Sequence, residues 1–133
     1  MLSDNLTDNE LISIDFMSAN LSKANLSGSD MSYARFTDAN LEGAIFYKTN
    51  LDSARFDGAC LIDADLTGAN LQSARLQRAN LTNASLVDAD LTGANVSDAD
   101  FTGANFTGAK VSYAALQTAA CLDNALLPSE YLE

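Results

Sequence analysis

The chain has 133 residues, enough for one domain, and its apolar fraction of 47% is ordinary for a globular protein and too high for general disorder. The 7 Lys and Arg residues stand against 18 Asp and Glu, a formal net charge of −11 with no histidine, which excludes direct nucleic-acid binding through a basic stripe. With no His, no Trp and only two Cys, most nucleophilic, acid–base and soft-metal constellations are unavailable, and no enzyme, cofactor or metal site is expected.

Residues 1–13 carry Asp4, Asp8 and Glu10, no basic residue and no long apolar stretch. They lack the pattern of a signal peptide, and no run approaches the ~20 apolar residues of a membrane span, so a cytoplasmic protein with reduced thiols and no membrane partner is expected. Thr7-Asp8-Asn9-Glu10 has the spacing of a capping box that would lay Leu11 and Ile12 over the first coil of a repeat starting near residue 14. The alternative is an irregular coil, since Leu6 and Leu11 keep the register of that repeat.

From Phe16 onward every fifth residue is a large apolar one. The column runs Phe16, Leu21, Leu26, Met31, Phe36, Leu41, Phe46, Leu51, Phe56, Leu61, Leu66, Leu71, Leu76, Leu81, Leu86, Leu91, Val96, Phe101, Phe106, Val111, Leu116. Two residues earlier, from Ala19 to Ala114, a second column is alanine except at Ser29 and Thr49. Two residues later a third column holds all 7 glycines: Gly28, Gly43, Gly58, Gly68, Gly93, Gly103 and Gly108.

A helix turns about 100° per residue, so a period of five drifts by about 140° and scatters the apolar side chains around the axis. Helix is excluded for the repeat. Strand alternation puts the Ala and the large residue on one side, but an odd period breaks that alternation once per unit, and the break must be a corner. Glycine supplies the positive φ of a type II turn and marks that corner. The result is a coil of very short strands whose large residues and alanines point inward and are buried only by stacking coil on coil, at the ~4.8 Å spacing of neighbouring strands. Recurrences at twenty residues, among Arg35, Arg55 and Arg75, Phe16, Phe36 and Phe56, and Asn20, Asn40 and Asn80, hint at four units per coil.

Ala19-Asn20-Leu21, Ala39-Asn40-Leu41, Ala64-Asp65-Leu66, Ala69-Asn70-Leu71, Ala79-Asn80-Leu81 and Ala89-Asp90-Leu91 resemble the unit A(D/N)LXX of the pentapeptide repeat proteins. The resemblance covers residues 14–119 and implies an all-β fold, a right-handed quadrilateral parallel β-helix of about five coils at the strand spacing, ~25 Å tall. Residues 1–13 and 120–133 would cap its ends. The resemblance leaves unexplained Arg35, Ile45, Arg55, Cys60, Arg75, Ser85, Lys110 and Ala115, which replace the Asp or Asn of the unit. It implies one of two roles. One is that of small soluble rods of cyanobacterial type, non-catalytic scaffolds or regulators acting on another protein. The other is that of DNA mimics that bind DNA gyrase or topoisomerase and protect against quinolones, as dimers joined through their carboxy-terminal coils.

Among candidate sites, Arg35, Arg55, Arg75 and Arg78 fall on one face of a four-sided coil and would form a planar, bidentate docking surface for carboxylates or phosphates. Asp15, Asp38, Asp57 and Asp98 share that face and are expected to neutralise it. Asp63/Asp65, Asp88/Asp90 and Asp98/Asp100 each straddle an Ala, and their carboxylates are expected to bond turn amides rather than hold calcium or act as an acid–base pair. A DNA mimic needs a face of one sign, yet the acids are spread: Glu42, Asp63, Asp100 and Asp123 on one face, Asp30, Asp52 and Asp90 on another with Lys23 and Lys110. Cys60 and Cys121 lie on one side three coils apart, about 14 Å, too far for a disulfide. Cys121 falls in the large-residue register and is expected to pack inward. Tyr33, Tyr47 and Tyr113 occupy outward columns. Leu122, Leu126, Leu127, Tyr131 and Leu132, with Pro128 to stop the ladder, either fold over the last coil or form a dimer face, so the chain is a monomer or an end-to-end dimer.

Overall fold

A computed structural model describes Thr7 and residues 10–131. Residues 1–6 lie outside the described residues, as do Asp8 and Asn9 of the expected amino-terminal capping box. Of its four positions, Glu10 is already paired in the ladder, to Asp30.

Between Glu10 and Lys110 each bridge is parallel and joins residues twenty positions apart, which gives four columns. They are Glu10–Asp30–Asn50–Asn70–Asp90–Lys110, Asp15–Arg35–Arg55–Arg75–Asn95, Asn20–Asn40–Cys60–Asn80–Asp100, and Asn25–Ile45–Asp65–Ser85–Asn105. Four pentapeptide units therefore close one coil. The strands are single bridges, as the period of five requires.

The unit around Leu41 shows what holds it. Asn40 N–H donates to Ala19 O at 2.9 Å, Leu41 N–H to Cys60 O at 2.7 Å, Gly43 N–H to Ile62 O at 2.8 Å, and Ala44 N–H closes the turn on Leu41 O at 3.0 Å. The remaining amide, that of Glu42, donates to Asn40 Oδ1 at 3.1 Å. All five amides of the unit are satisfied, and the last needs a short side-chain acceptor one residue before the large apolar one. The same bond recurs from Asp15, Asn20, Asn25, Asp30, Asn50, Asp65, Asn70, Asn80, Asp90, Asn95, Asp100 and Asn105. The Asp or Asn of the repeat is thus an Asx-turn acceptor.

At the corners Gly43 has φ +70°, the second central residue of a type II turn. Glycine is not obligatory, however: Lys23, Tyr33, Arg78 and Asn83 hold the same conformation at φ 63°, 61°, 58° and 60°. An L-residue there costs roughly 1–2 kcal/mol. The corner amide, bonded to the next coil in each case, holds it in place.

Inside, Phe36, Phe56, Leu61, Leu66, Leu71, Leu76, Leu81, Leu86, Phe101 and Phe106 are fully buried, with Phe16 and Leu91 nearly so. The alanine column leaves them room, and Ser29 and Thr49 fit in it, the latter by donating its hydroxyl to Leu26 O at 2.8 Å. Phe16, Phe36 and Phe56 stack along the axis at ring separations of 5.7 and 4.9 Å, and Phe46 meets Phe36 and Phe56 edge-on at 5.6 and 5.8 Å.

The carboxy-terminal coil departs from the pattern. Helix α1, Tyr113–Leu116, is capped by Ser112, whose hydroxyl accepts from Ala115 N–H. Leu116 stays buried, but Ala114, placed by periodicity in the inward column, is exposed. The helix also lengthens the coil by one residue: Asp100 bridges Cys121 and Asn105 bridges Leu126. The ladder therefore runs on beyond residue 119. Cys121 lands in the Asx column, half-buried, rather than in the core register, and its sulfur accepts from the Thr102 hydroxyl and the Asp123 amide at 3.2 and 3.4 Å. Leu122 and Leu127 pack against the core, Pro128 is buried before a 3-10 turn at Ser129–Tyr131, and Leu126 is left 59% exposed.

This packing has two testable consequences. Phe36→Ala removes the centre of the ring stack and is expected to cost about 3–5 kcal/mol in urea unfolding, whereas Met17→Ala, on the exposed surface, stays within about 0.5 kcal/mol. Asn80→Ala strands the Thr82 amide and is expected to cost about 1 kcal/mol, while Asn80→Asp keeps the acceptor and stays near wild type.

Candidate functional site

Arg35, Arg55 and Arg75 form consecutive rungs of one bridging column. Beside them lie the fully buried Phe36, Phe56 and Leu76, the first two with rings stacked at 4.9 Å. Each arginine occupies an Asx position, and among the described residues nothing accepts from the amides of Thr37, Asp57 and Gln77. Three successive rungs thus forgo a bond worth about 0.5–1.5 kcal/mol each. Two cations held at the ~4.8 Å coil spacing would also repel by about 1 kcal/mol even under water-like screening.

Neutralisation of this face is incomplete. One ion pair forms among the described residues, between Arg75 Nη2 and Asp57 Oδ2 at 3.3 Å. The other Asp57 oxygen is buried without a partner. Asp38 instead lies over Gly58 of the next coil, and Asp15 accepts from the Met17 amide at 3.0 Å. Arg35, Arg55 and Arg75 line a groove of about 560 Å³ with Ser13, Tyr33, Ser53 and Ser73 from the adjacent corner column. Arg78 sits at the opposite corner of the face and does not line it. The groove serines were not among the residues singled out from sequence, although Ser13, Ser53 and Ser73 share the twenty-residue register of the arginines. On another side, Tyr47 and Lys48, whose ammonium lies 5.3 Å from the Tyr47 ring centroid, border a smaller groove of about 340 Å³.

The acidic pairs separate into two roles. Asp65, Asp90 and Asp100 accept from the amides of Thr67, Thr92 and Thr102 at 3.0 Å, while Asp63, Asp88 and Asp98 occupy corners at φ 61°, 58° and 60°. Cys60 and Cys121 are free thiols. The Thr102 hydroxyl, 2.6 Å from Asp100, lowers the carboxyl pKa below its ordinary value, and the Thr102 amide adds to this. The Thr92 hydroxyl does the same for Asp90, against partial burial and with help from Gln72 and Lys110. A carboxyl depressed in the folded state contributes stability above its unfolded pKa and loses it as pH falls through the folded value. Asp100→Asn, which keeps the acceptor but cannot titrate, is therefore expected to flatten the loss of thermal stability below about pH 4, read from melting curves between pH 7 and pH 2.

Among proteins of curated function, none matches this chain. Among solved structures, it is similar to the pentapeptide repeat protein Rfr23 from the cyanobacterium Cyanothece 51142, at 34% identity and a TM-score of 0.62 over 81% of this chain and 63% of that one. It thus spans less than two thirds of that relative. A pentapeptide repeat protein from the Arabidopsis thaliana thylakoid lumen is 29% identical over 80% of this chain and 70% of its own, with a TM-score of 0.66. QnrB1, a plasmid-mediated fluoroquinolone resistance protein, shares the fold at 22% identity and a TM-score of 0.56, over 95% of this chain and 83% of that one. The model for pentapeptide repeats matches in 8 copies, at residues 19–58, 49–86, 59–98 and 84–119, and the chain belongs to the pentapeptide repeat family.

Proposed function

We propose that this chain is a non-catalytic right-handed β-helical scaffold that binds another protein, with the Arg35, Arg55 and Arg75 face as its docking surface. One observation carries the reading: on three consecutive rungs of one column, the Asx acceptor that stabilises the coil elsewhere is replaced by a cation. A column under selection for stability alone would keep Asn there. Arginine forks suit recognition of anionic groups on a partner. Arg78, at the far corner, extends the basic surface beyond the groove.

The second reading, a DNA-mimicking ligand of gyrase or topoisomerase, draws on the net charge of −11 and on the fold shared with QnrB1. The charge distribution weighs against it. The most acidic bridging column, with Glu10, Asp30 and Asp90, is interrupted by Asn50 and Asn70 and ends at Lys110. A duplex-like surface needs an unbroken run of one sign.

Two measurements separate these readings. Affinity capture with the wild-type chain is expected to retain a protein that a variant with Arg35→Glu, Arg55→Glu and Arg75→Glu releases; retention by both would remove this face from the interaction. In a gyrase supercoiling assay, with and without a quinolone, no effect is expected, and inhibition or drug protection at low micromolar concentration would put the mimic first.

A further inference from the structure

We infer that the groove between the Arg35–Arg55–Arg75 ladder and the Ser53–Ser73 corner is a binding site for a short linear oligophosphate. This goes beyond the scaffold reading and is tested without any partner protein.

The donor set favours phosphoryl over carboxylate. Along the groove the Arg55 and Arg75 coils each present one guanidinium fork and one corner hydroxyl, from Ser53 and Ser73. A carboxylate has two oxygens, so the hydroxyl would have to share one that the fork already engages. A terminal phosphoryl has three, and so meets fork and hydroxyl together. Two such sets one coil apart, at ~4.8 Å, suit the two terminal phosphoryls of a short chain, which stand two P–O–P links apart, rather than an isolated phosphate.

The ends of the site bound the ligand's length. Asp15 precedes Arg35 in the column and Asn95 follows Arg75, so the cationic ladder covers three coils, about 10 Å from first to third. Tyr33 stands in the corner column beside Arg35, where the coils on either side carry serine. Charge balance points the same way, since Asp57 is the single carboxylate paired to the ladder among the described residues. A bound anion would also relieve repulsion between the ladder's cations. In the unliganded chain Ser53 donates its hydroxyl to Asp52 Oδ1 at 2.9 Å. Ligand binding would turn that hydroxyl toward the groove.

The test exploits the opposite signs of binding and stability at these positions. Titration of the full chain with sodium tripolyphosphate, followed by calorimetry and thermal melting, is expected to give saturable binding and a raised melting temperature. Arg35→Asn and Arg55→Asn are each expected to weaken binding about tenfold, the loss of one charge-assisted pair, while melting at or above the wild-type temperature because the Asx acceptor is restored. Lys110→Asn, an equal charge change on another column, should leave affinity within about twofold. Tricarballylate, the carboxylate control, should bind at least about tenfold more weakly than tripolyphosphate. ATP distinguishes the source: tighter binding than tripolyphosphate assigns the site to a nucleotide's phosphate tail, and weaker binding to the inorganic chain. No binding at millimolar tripolyphosphate, equal binding by the Asn variants, equal loss in Lys110→Asn, or equal affinity for tricarballylate would each overturn the proposal.

Discussion

The fold depends on finding an acceptor for every backbone amide in a unit of five residues. Coil-to-coil ladders and the turn satisfy four of them, as around Leu41, and leave the amide after the large apolar residue to a side chain. Water could satisfy it at the surface, but a local carboxylate or amide oxygen does so without loosening the corner. The repeat therefore has three separate physical origins. The alanine is small because the coil interior holds one large side chain per unit, the large residue fills that interior, and the Asp or Asn supplies the missing acceptor. Aspartate here is an acceptor before it is a charge. Part of the net charge of −11 is in this sense structural, and Asp65, Asp90 and Asp100 share this work with asparagines such as Asn70, Asn80 and Asn95.

Burial and amide satisfaction also decide which parts were legible in advance. The inward columns were readable because burial selects side-chain size at every fifth position, and the twenty-residue closure because Phe16, Phe36 and Phe56 must stack on one another. Corner chemistry was readable only in part. Glycine marks the turn where it occurs, but Tyr33, Arg78 and Lys23 hold the same positive φ because the ladder on either side imposes it. The frame change near residue 113 was hidden for a different reason. Val111 and Leu116 keep the period of five even though α1 adds a residue to the coil, so the apolar column looks unbroken. A signal was nevertheless present: Ala120-Cys121-Leu122 repeats Ala59-Cys60-Leu61 one residue out of step, which places Cys121 above Asp100 in the Asx column.

The arginine face was legible as a recurrence, and its value was not. A sequence shows that Arg35, Arg55 and Arg75 share a register and that acids lie nearby, but pairing depends on where the carboxylates point. Asp38 is turned over Gly58 and Asp15 is engaged by the Met17 amide, which leaves the groove to a single ion pair among the described residues. The serines opposite were overlooked because a corner serine reads as turn chemistry, and only the lining of the groove places them beside the guanidiniums.

A coil whose interior is taken up by its inward side chains leaves a site only the grooves between its outward columns, so specificity has to be written on those columns. Each column position is a choice between an acceptor that stabilises the coil and a group that does something else. Ile45 and Cys60 also give up the Asx oxygen, but without a charge, Lys110 does so on a single rung, and Ser85 still accepts the Val87 amide on its hydroxyl at 3.5 Å. The arginine column is where the choice is repeated on adjacent rungs with one cation, beside the stacked Phe36 and Phe56 and the buried Leu76. Its neighbours Asn40 and Asn80 on the next column keep the acceptor and flank a plain surface. In a repeat architecture a departure from the unit stands out against its neighbours, and each arginine rung here gives up the Asx bond that most other rungs keep.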